Sequence, residues 1–132
     1  MALRNVCDYS ICSIVDNIIN NNCIKNNMSI AFDSKSNSSG SGTSLTFSHV
    51  CSGSNLILIV GIQTYLVSPT GITISSVTYD GVEMTSFGNV ERTPNGEYQY
   101  MYYLIAPSVG SQNIIITTTT PMDYIGASSA SY

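Results

Sequence analysis

ITISSVTYDGVEMTSF, residues Ile72–Phe87, sets two short runs rich in Ile, Val, Thr and Tyr on either side of Asp80-Gly81. An Asp-Gly pair between β-prone runs predicts a two-residue hairpin, because a type I′ turn requires φ > 0 at both central positions. The hairpin sets Val77, Tyr79, Val82 and Met84 close to the turn, flanked by Thr78, Glu83 and Thr85. The rest of the chain then looks like further strands for this hairpin to pack with.

Upstream, Leu56–Ile62 (LILIVGI) is a continuous apolar run of strand length. Both of its faces need cover, so a central strand is expected. Gly61 within it suggests a bend or a close neighbouring backbone. The run fades through Gln63-Thr64-Tyr65 into a turn at Ser68-Pro69-Thr70-Gly71. Before it, Leu45–Cys51 alternates Leu45, Phe47, His49 and Cys51 against Thr46, Ser48 and Val50, the pattern of a half-buried strand. Ser52-Gly53-Ser54-Asn55 reads as the turn between them. Ser34–Thr43 (SKSNSSGSGT) reads as a mobile polar loop without an apolar anchor, and Ser29–Asp33 as the alternating start of a first strand.

Downstream, Gly88–Gly96 reads as a loop, and Tyr98–Ala106 (YQYMYYLIA) as a second nearly all-apolar strand ended by Pro107 and Gly110. Asn113–Thr120 (NIIITTTT) is a β-branched strand that Pro121 is expected to close. Tyr124–Tyr132 (YIGASSASY) begins one more, and the chain stops within it, which reads as a domain truncated at its C-terminus.

Residues 1–27 differ in composition: three of the four cysteines, seven asparagines and none of the ten glycines. Leu3, Val6, Ile11, Ile14, Val15, Ile18 and Ile19 recur at spacings of three and four, compatible with an amphipathic helix over about residues 8–20. The competing readings are disorder, or a non-native start upstream of Met28. The organisation is therefore an N-terminal extension, 1–27, and a β domain, 28–132.

Composition excludes several partner classes. Charged residues are 9% of the chain and apolar residues 43%, the opposite of the balance that keeps a chain disordered. Lys and Arg occur only at Arg4, Lys25, Lys35 and Arg92, and the net charge is −4. No basic patch can neutralise a run of phosphates, which argues against nucleic acid, and a polybasic membrane contact fails likewise. No run reaches the roughly 18 apolar residues of a membrane-spanning helix. No basic segment precedes an apolar one as in a signal peptide. Synthesis in the cytoplasm is expected, and a protein that leaves the cell would do so in a virion or by lysis.

Candidate chemistry is sparse. His49 and Cys51 share a strand face, yet a Cys-His nucleophile also needs an orienting group and an oxyanion site. A satisfied strand histidine beside a small apolar thiol is the plainer account. Cys7, Cys12, Cys23, His49 and Cys51 lack the paired short knuckles of a structural zinc site, so no metal or other cofactor is expected. The redox state of the four cysteines stays open. Asp33, Asp80, Glu83, Glu91, Glu97 and Asp123 are scattered, and Asp80 is explained by its turn. Tyr98, Tyr100 and Tyr102 lie on one face of a strand and could stack on sugar rings or form a protein interface. The alternative is that this face is packed inside.

Five stretches in order carry a resemblance: MSIAFDS (28–34), LTFSHVCSGSNLILIVGI (45–62), ISSVTYDGVEMTSFG (74–88), YMYYLIAPSVGSQNIIIT (100–117) and YIGASSASY (124–132). Together they resemble a β-sandwich module common in phage virion and tail-associated proteins and in related bacterial proteins. Tyr102 stands where that family often has Trp, and the chain stops where the family usually continues. The resemblance implies a virion component that is structural or adhesive, and it carries over no catalytic residue. The expectation is thus an all-β antiparallel sandwich, jelly-roll or immunoglobulin-like. It would serve as a non-enzymatic module with protein partners in a virion or with itself, the runner-up being a carbohydrate-binding adhesion module.

Overall fold

One strand, β7 (Gly110–Ser131), is the longest of the fold and pairs with three others. The computed structural model describes residues 30–67, 73–92 and 96–132, with backbone only at 90–92. Among these there is no helix. The remaining strands are β1 (Ser34–Cys51), β2 (Ile57–Tyr65), β3 (Ile74–Tyr79), β4 (Val82–Glu83), β5 (Thr85–Arg92) and β6 (Glu97–Ile105). All pairings are antiparallel, in the order β4-β3-β7-β2-β6-β5, with β1 along the opposite side of β7.

β7 reaches 22 residues, more than twice the usual strand, because its two halves serve different neighbours. Its first half pairs with β3 through Ile114–Thr118, and its second half pairs with β2 through Tyr124–Ser131. β1 accompanies both halves. The two strands kink together: the register slips between Gly40 and Gly42 and again between Gly42 and Ser44. A slip in register changes which side chains face inward. In β1 the inward residues switch from the even positions 34–40 to Leu45, Phe47, His49 and Cys51; in β7 they switch from Ile114, Ile116 and Met122 to Ile125, Ala127 and Ser129. The curl brings Ser34 at one end of β1 onto the carbonyl of Val50 at the other. The result is a nearly closed, barrel-like sheet.

The inward rows meet in one core. Leu58, Val60, Val77, Tyr79, Ile114, Ile116 and Ile125 are fully buried. Each such aliphatic side chain stabilises the fold by about 1.5–3 kcal/mol. The Asp80-Gly81 hairpin forms as expected, with φ of 52° and 75° at its two central residues. Its return strand is short: Met84 N–H donates to the Val77 carbonyl, and the chain then leaves to pair β5 with β6.

Several expectations are corrected. Ser34–Thr43 is not a mobile loop but the first half of β1, held by its backbone ladder to β7, with alternate side chains half-buried. Backbone pairing needs no apolar side chain, which is why the composition misled. Ser29–Asp33 does not open a strand within its described residues; β1 begins at Ser34. Gly88–Arg92 is strand rather than loop, paired to β6 through Tyr98–Met101 and Glu97. Pro121 does not close a strand: residues 118–121 have no β1 partner, so the missing N–H breaks no β1–β7 hydrogen bond. Ile125–Ser131, the end of β7, is paired on both sides, to β1 and to β2. The N-terminal helix expected over 8–20 lies outside the described residues.

Candidate functional site

The inward row of β1 places His49 where the two ends of the curled sheet meet. Its side chain is fully buried, between the first half of β1 and the second half of β7. Four serines surround it. Nε2 lies 3.0 Å from Ser131 Oγ and 3.2 Å from Ser34 Oγ, and Nδ1 lies 3.0 Å from Ser129 Oγ and 3.1 Å from Ser36 Oγ.

The proton positions follow from the donors available. The Ser131 hydroxyl donates to Asp33 Oδ2 at 2.7 Å, and that of Ser34 donates to the Val50 carbonyl. Each hydroxyl has one hydrogen, so both can only accept from Nε2. Nε2 therefore carries the proton, and Nδ1 accepts from Ser36 or Ser129. Burial lowers the His49 pKa from its ordinary value, and the charge of Asp33 opposes this more weakly. Asp33 itself is held below the usual carboxylate range, chiefly by the Ser52 hydroxyl, then by the Ser52 N–H and the Ser131 hydroxyl.

This set contains a Ser, a His and an Asp, but in an order that does not activate a nucleophile. In a catalytic triad the carboxylate orients the imidazole and the imidazole takes the serine proton. Here the carboxylate takes the serine hydrogen, and Ser131 stands between the other two, fully buried. The arrangement is a polar staple joining strands distant in sequence. Tyr79 supports it from below: its ring meets the imidazole edge-on at 6.4 Å, and its hydroxyl faces the carbonyls of Ser108, Gly110 and His49 at 3.1, 3.3 and 3.4 Å. Burial, and then Cys51, push its pKa well up. Cys51 is a buried free thiol on the same inward row.

Neither a protein-family model, nor a curated protein, nor a solved structure matches this chain.

The other sequence candidates separate. Tyr98, Tyr100 and Tyr102 do share a face of β6, and that face packs against the core. Tyr98 and Tyr100 stack at 6.4 Å, and burial raises the Tyr102 pKa against the lowering effect of Ser86. All three are half-buried. Both His49 nitrogens are engaged by serines, while Cys7, Cys12 and Cys23 lie outside the described residues. Among the described residues no group of three or more His, Cys, Asp or Glu is placed to hold a metal ion. No helix among them is long and apolar enough to cross a membrane.

Two features were not read from the sequence. The four serines converge on His49 only because β1 curls, and nothing in SKSNSS by itself pairs Ser34 and Ser36 with His49. The opposite face of β6, with Gln99 and Met101, opens onto a groove across β1, β7, β2, β6 and β5. Gly61 was a signal for it, though its meaning differs from the one expected.

Proposed function

We propose that this protein is a non-enzymatic interaction module that assembles through its sheet edges, as a structural or adhesive component of a phage-like particle. The single observation that carries the reading is β1: 18 residues paired on one side only among the described residues. An unpaired strand of that length presents a row of N–H and C=O groups ready to accept another strand. Native edges are usually blunted by charge, by proline or by being short. β1 is long, has no proline and carries only Lys35 as a permanent charge, with His49 turned inward. β5 offers a second edge, paired among the described residues only to β6.

The curled sheet supports the finer reading of the fold as a β-sandwich, jelly-roll or immunoglobulin-like in style. One layer would be β4-β3 with the first half of β7 and the second half of β1. The other would be β5-β6-β2 with the remaining halves. The five ordered stretches that resemble phage virion modules favour the same assignment, with a place in a virion or outside the cell after release.

The test is sedimentation of the full-length protein across concentrations, alone and with a lysate of assembling particles, beside a Thr46→Lys/Ser48→Lys variant. Both positions are exposed on β1. Self-association or a defined virion complex, lost in the charged variant, supports the reading. A monomer under all conditions, absent from particles, overturns it.

A further inference from the structure

We infer that the outer face of the β7–β2–β6 sheet is a binding groove for a neutral oligosaccharide. The inward residues of β2 are Leu58, Val60, Ile62 and Thr64, so Gly61 and Gln63 face outward. The ladders align Gly61 with Met101 on β6 and Ser128 on β7, and Gln63 with Gln99 and Gly126. These rows floor an open groove of about 820 Å³.

Gly61 is the informative residue. A glycine inside a central strand costs roughly 0.5–1 kcal/mol relative to alanine, and is usually explained by a special φ or a close backbone. Neither applies. Gly61 does not adopt positive φ, and a Cβ there would meet only Ser128, at 3.9 Å, an ordinary contact. What the missing side chain does is leave the floor open. Gly126 does something different: Tyr124 lies over it, its hydroxyl 2.5 Å from where a Cβ would stand. Tyr124 is thereby laid along the floor as an aromatic surface, 43% exposed.

The chemistry of the lining selects the ligand class. Among the described residues no Asp, Glu, Lys, Arg or His lines the groove. The described lining offers an anion no cation and a cation no carboxylate. The outward polar groups are the amides of Asn37, Gln63 and Gln99 and the hydroxyls of Ser39, Ser128 and Tyr124, each able both to donate to and accept from a hydroxyl. Amides beside the exposed rings of Tyr124 and Phe87 suit a sugar, which has an apolar ring face and an equatorial rim of hydroxyls. The groove's floor at Gln99 and Met101 is on the face of β6 opposite the side chains of Tyr98, Tyr100 and Tyr102, although Tyr100 also borders the groove.

The test is an array of linear neutral oligosaccharides with sulfated and uronate-bearing counterparts, followed by calorimetric titration, on the full-length protein. Binding to at least one neutral oligosaccharide is expected, weakened about tenfold or more by Tyr124→Ala and by Gln99→Ala and abolished by Gly61→Val, which fills the floor. Thr46→Lys/Ser48→Lys should bind unchanged, which separates this site from assembly through the edge. If Gly61→Val lowers the melting temperature, the two surface variants decide. No binding, binding confined to the acidic sugars, or neutral binding that survives the deciding variants overturns the inference.

Discussion

His49 and Ser131, 82 residues apart in the chain, meet at 3.0 Å between the imidazole Nε2 and the serine hydroxyl. Through Ser131 the contact continues to Asp33, and through Ser34 to the other end of β1. A network of hydrogen bonds around a buried imidazole is worth most when every member has its partner. Ser131→Ala removes an acceptor from Nε2–H and a donor from Asp33. A loss of about 1–3 kcal/mol in urea unfolding is expected. Ser48→Ala, exposed on the same strand, should stay within about 0.5 kcal/mol.

Stability should also fall on acidification, in two steps. The His49 pKa is lowered by folding from 6.5, so below pH 6.5 the unfolded chain takes a proton that the folded one refuses. Stability is complete above that pH, declines as pH falls and levels off below the native pKa. Asp33, lowered from 3.8, adds a second loss of the same sign as pH falls below that value. Urea midpoints measured from pH 7.5 to 5 should show the first step, and His49→Gln should flatten it. The slope, rather than the absolute stability of that variant, is the readout.

Thr64 presents the opposite case. Its side chain is fully buried and its hydroxyl has no hydrogen-bond partner. An orphaned hydroxyl in an apolar place costs about 1–3 kcal/mol on mutational scales. Thr64→Val keeps the shape and removes the orphan, so it should stabilise by about 1 kcal/mol. Thermal unfolding would register this as a rise of roughly 4–8 °C.

Pro121 should be replaceable. It sits where β7 has no β1 partner, so Pro121→Thr is expected to change stability by less than about 0.5 kcal/mol. Ser128→Pro tests the contrast, because Ser128 is paired to Asn37 on one side and Gly61 on the other. A proline there strips one ladder bond and orphans its acceptor, a loss of at least about 1–3 kcal/mol. Chemical denaturation of the two variants side by side checks both.

Local signals were legible where backbone geometry depends on neighbours in sequence. Asp80-Gly81 needed only its own φ values to form a turn, and the alternation of Leu45, Phe47, His49 and Cys51 needed only the period of a strand. The apolar run before Gly61 announced a central strand because its inward row is buried in the core and its backbone pairs on both edges. Ser34–Thr43 was illegible for a physical reason: a strand held by backbone hydrogen bonds leaves no mark in side-chain hydropathy. Pro121 misled likewise, since whether a missing N–H matters depends on what lies across from it. The His49 site was half visible. Its histidine could be placed on an inward face, but its four serines come from two other stretches of chain.

The amino-acid order alone determined that this chain is built of antiparallel strands, where its first sure turn lies, and that it carries only four Lys and Arg residues. Those properties follow from φ preferences, side-chain alternation and charge, all of them local or additive. Only the tertiary structure decided that β1 and β7 kink together and curl. The bulge at Gly40–Ser44 acts through the register between two strands, and register is a property of the pair. From that curl come the staple at His49, the covering of Tyr98, Tyr100 and Tyr102, and the open groove above Gly61.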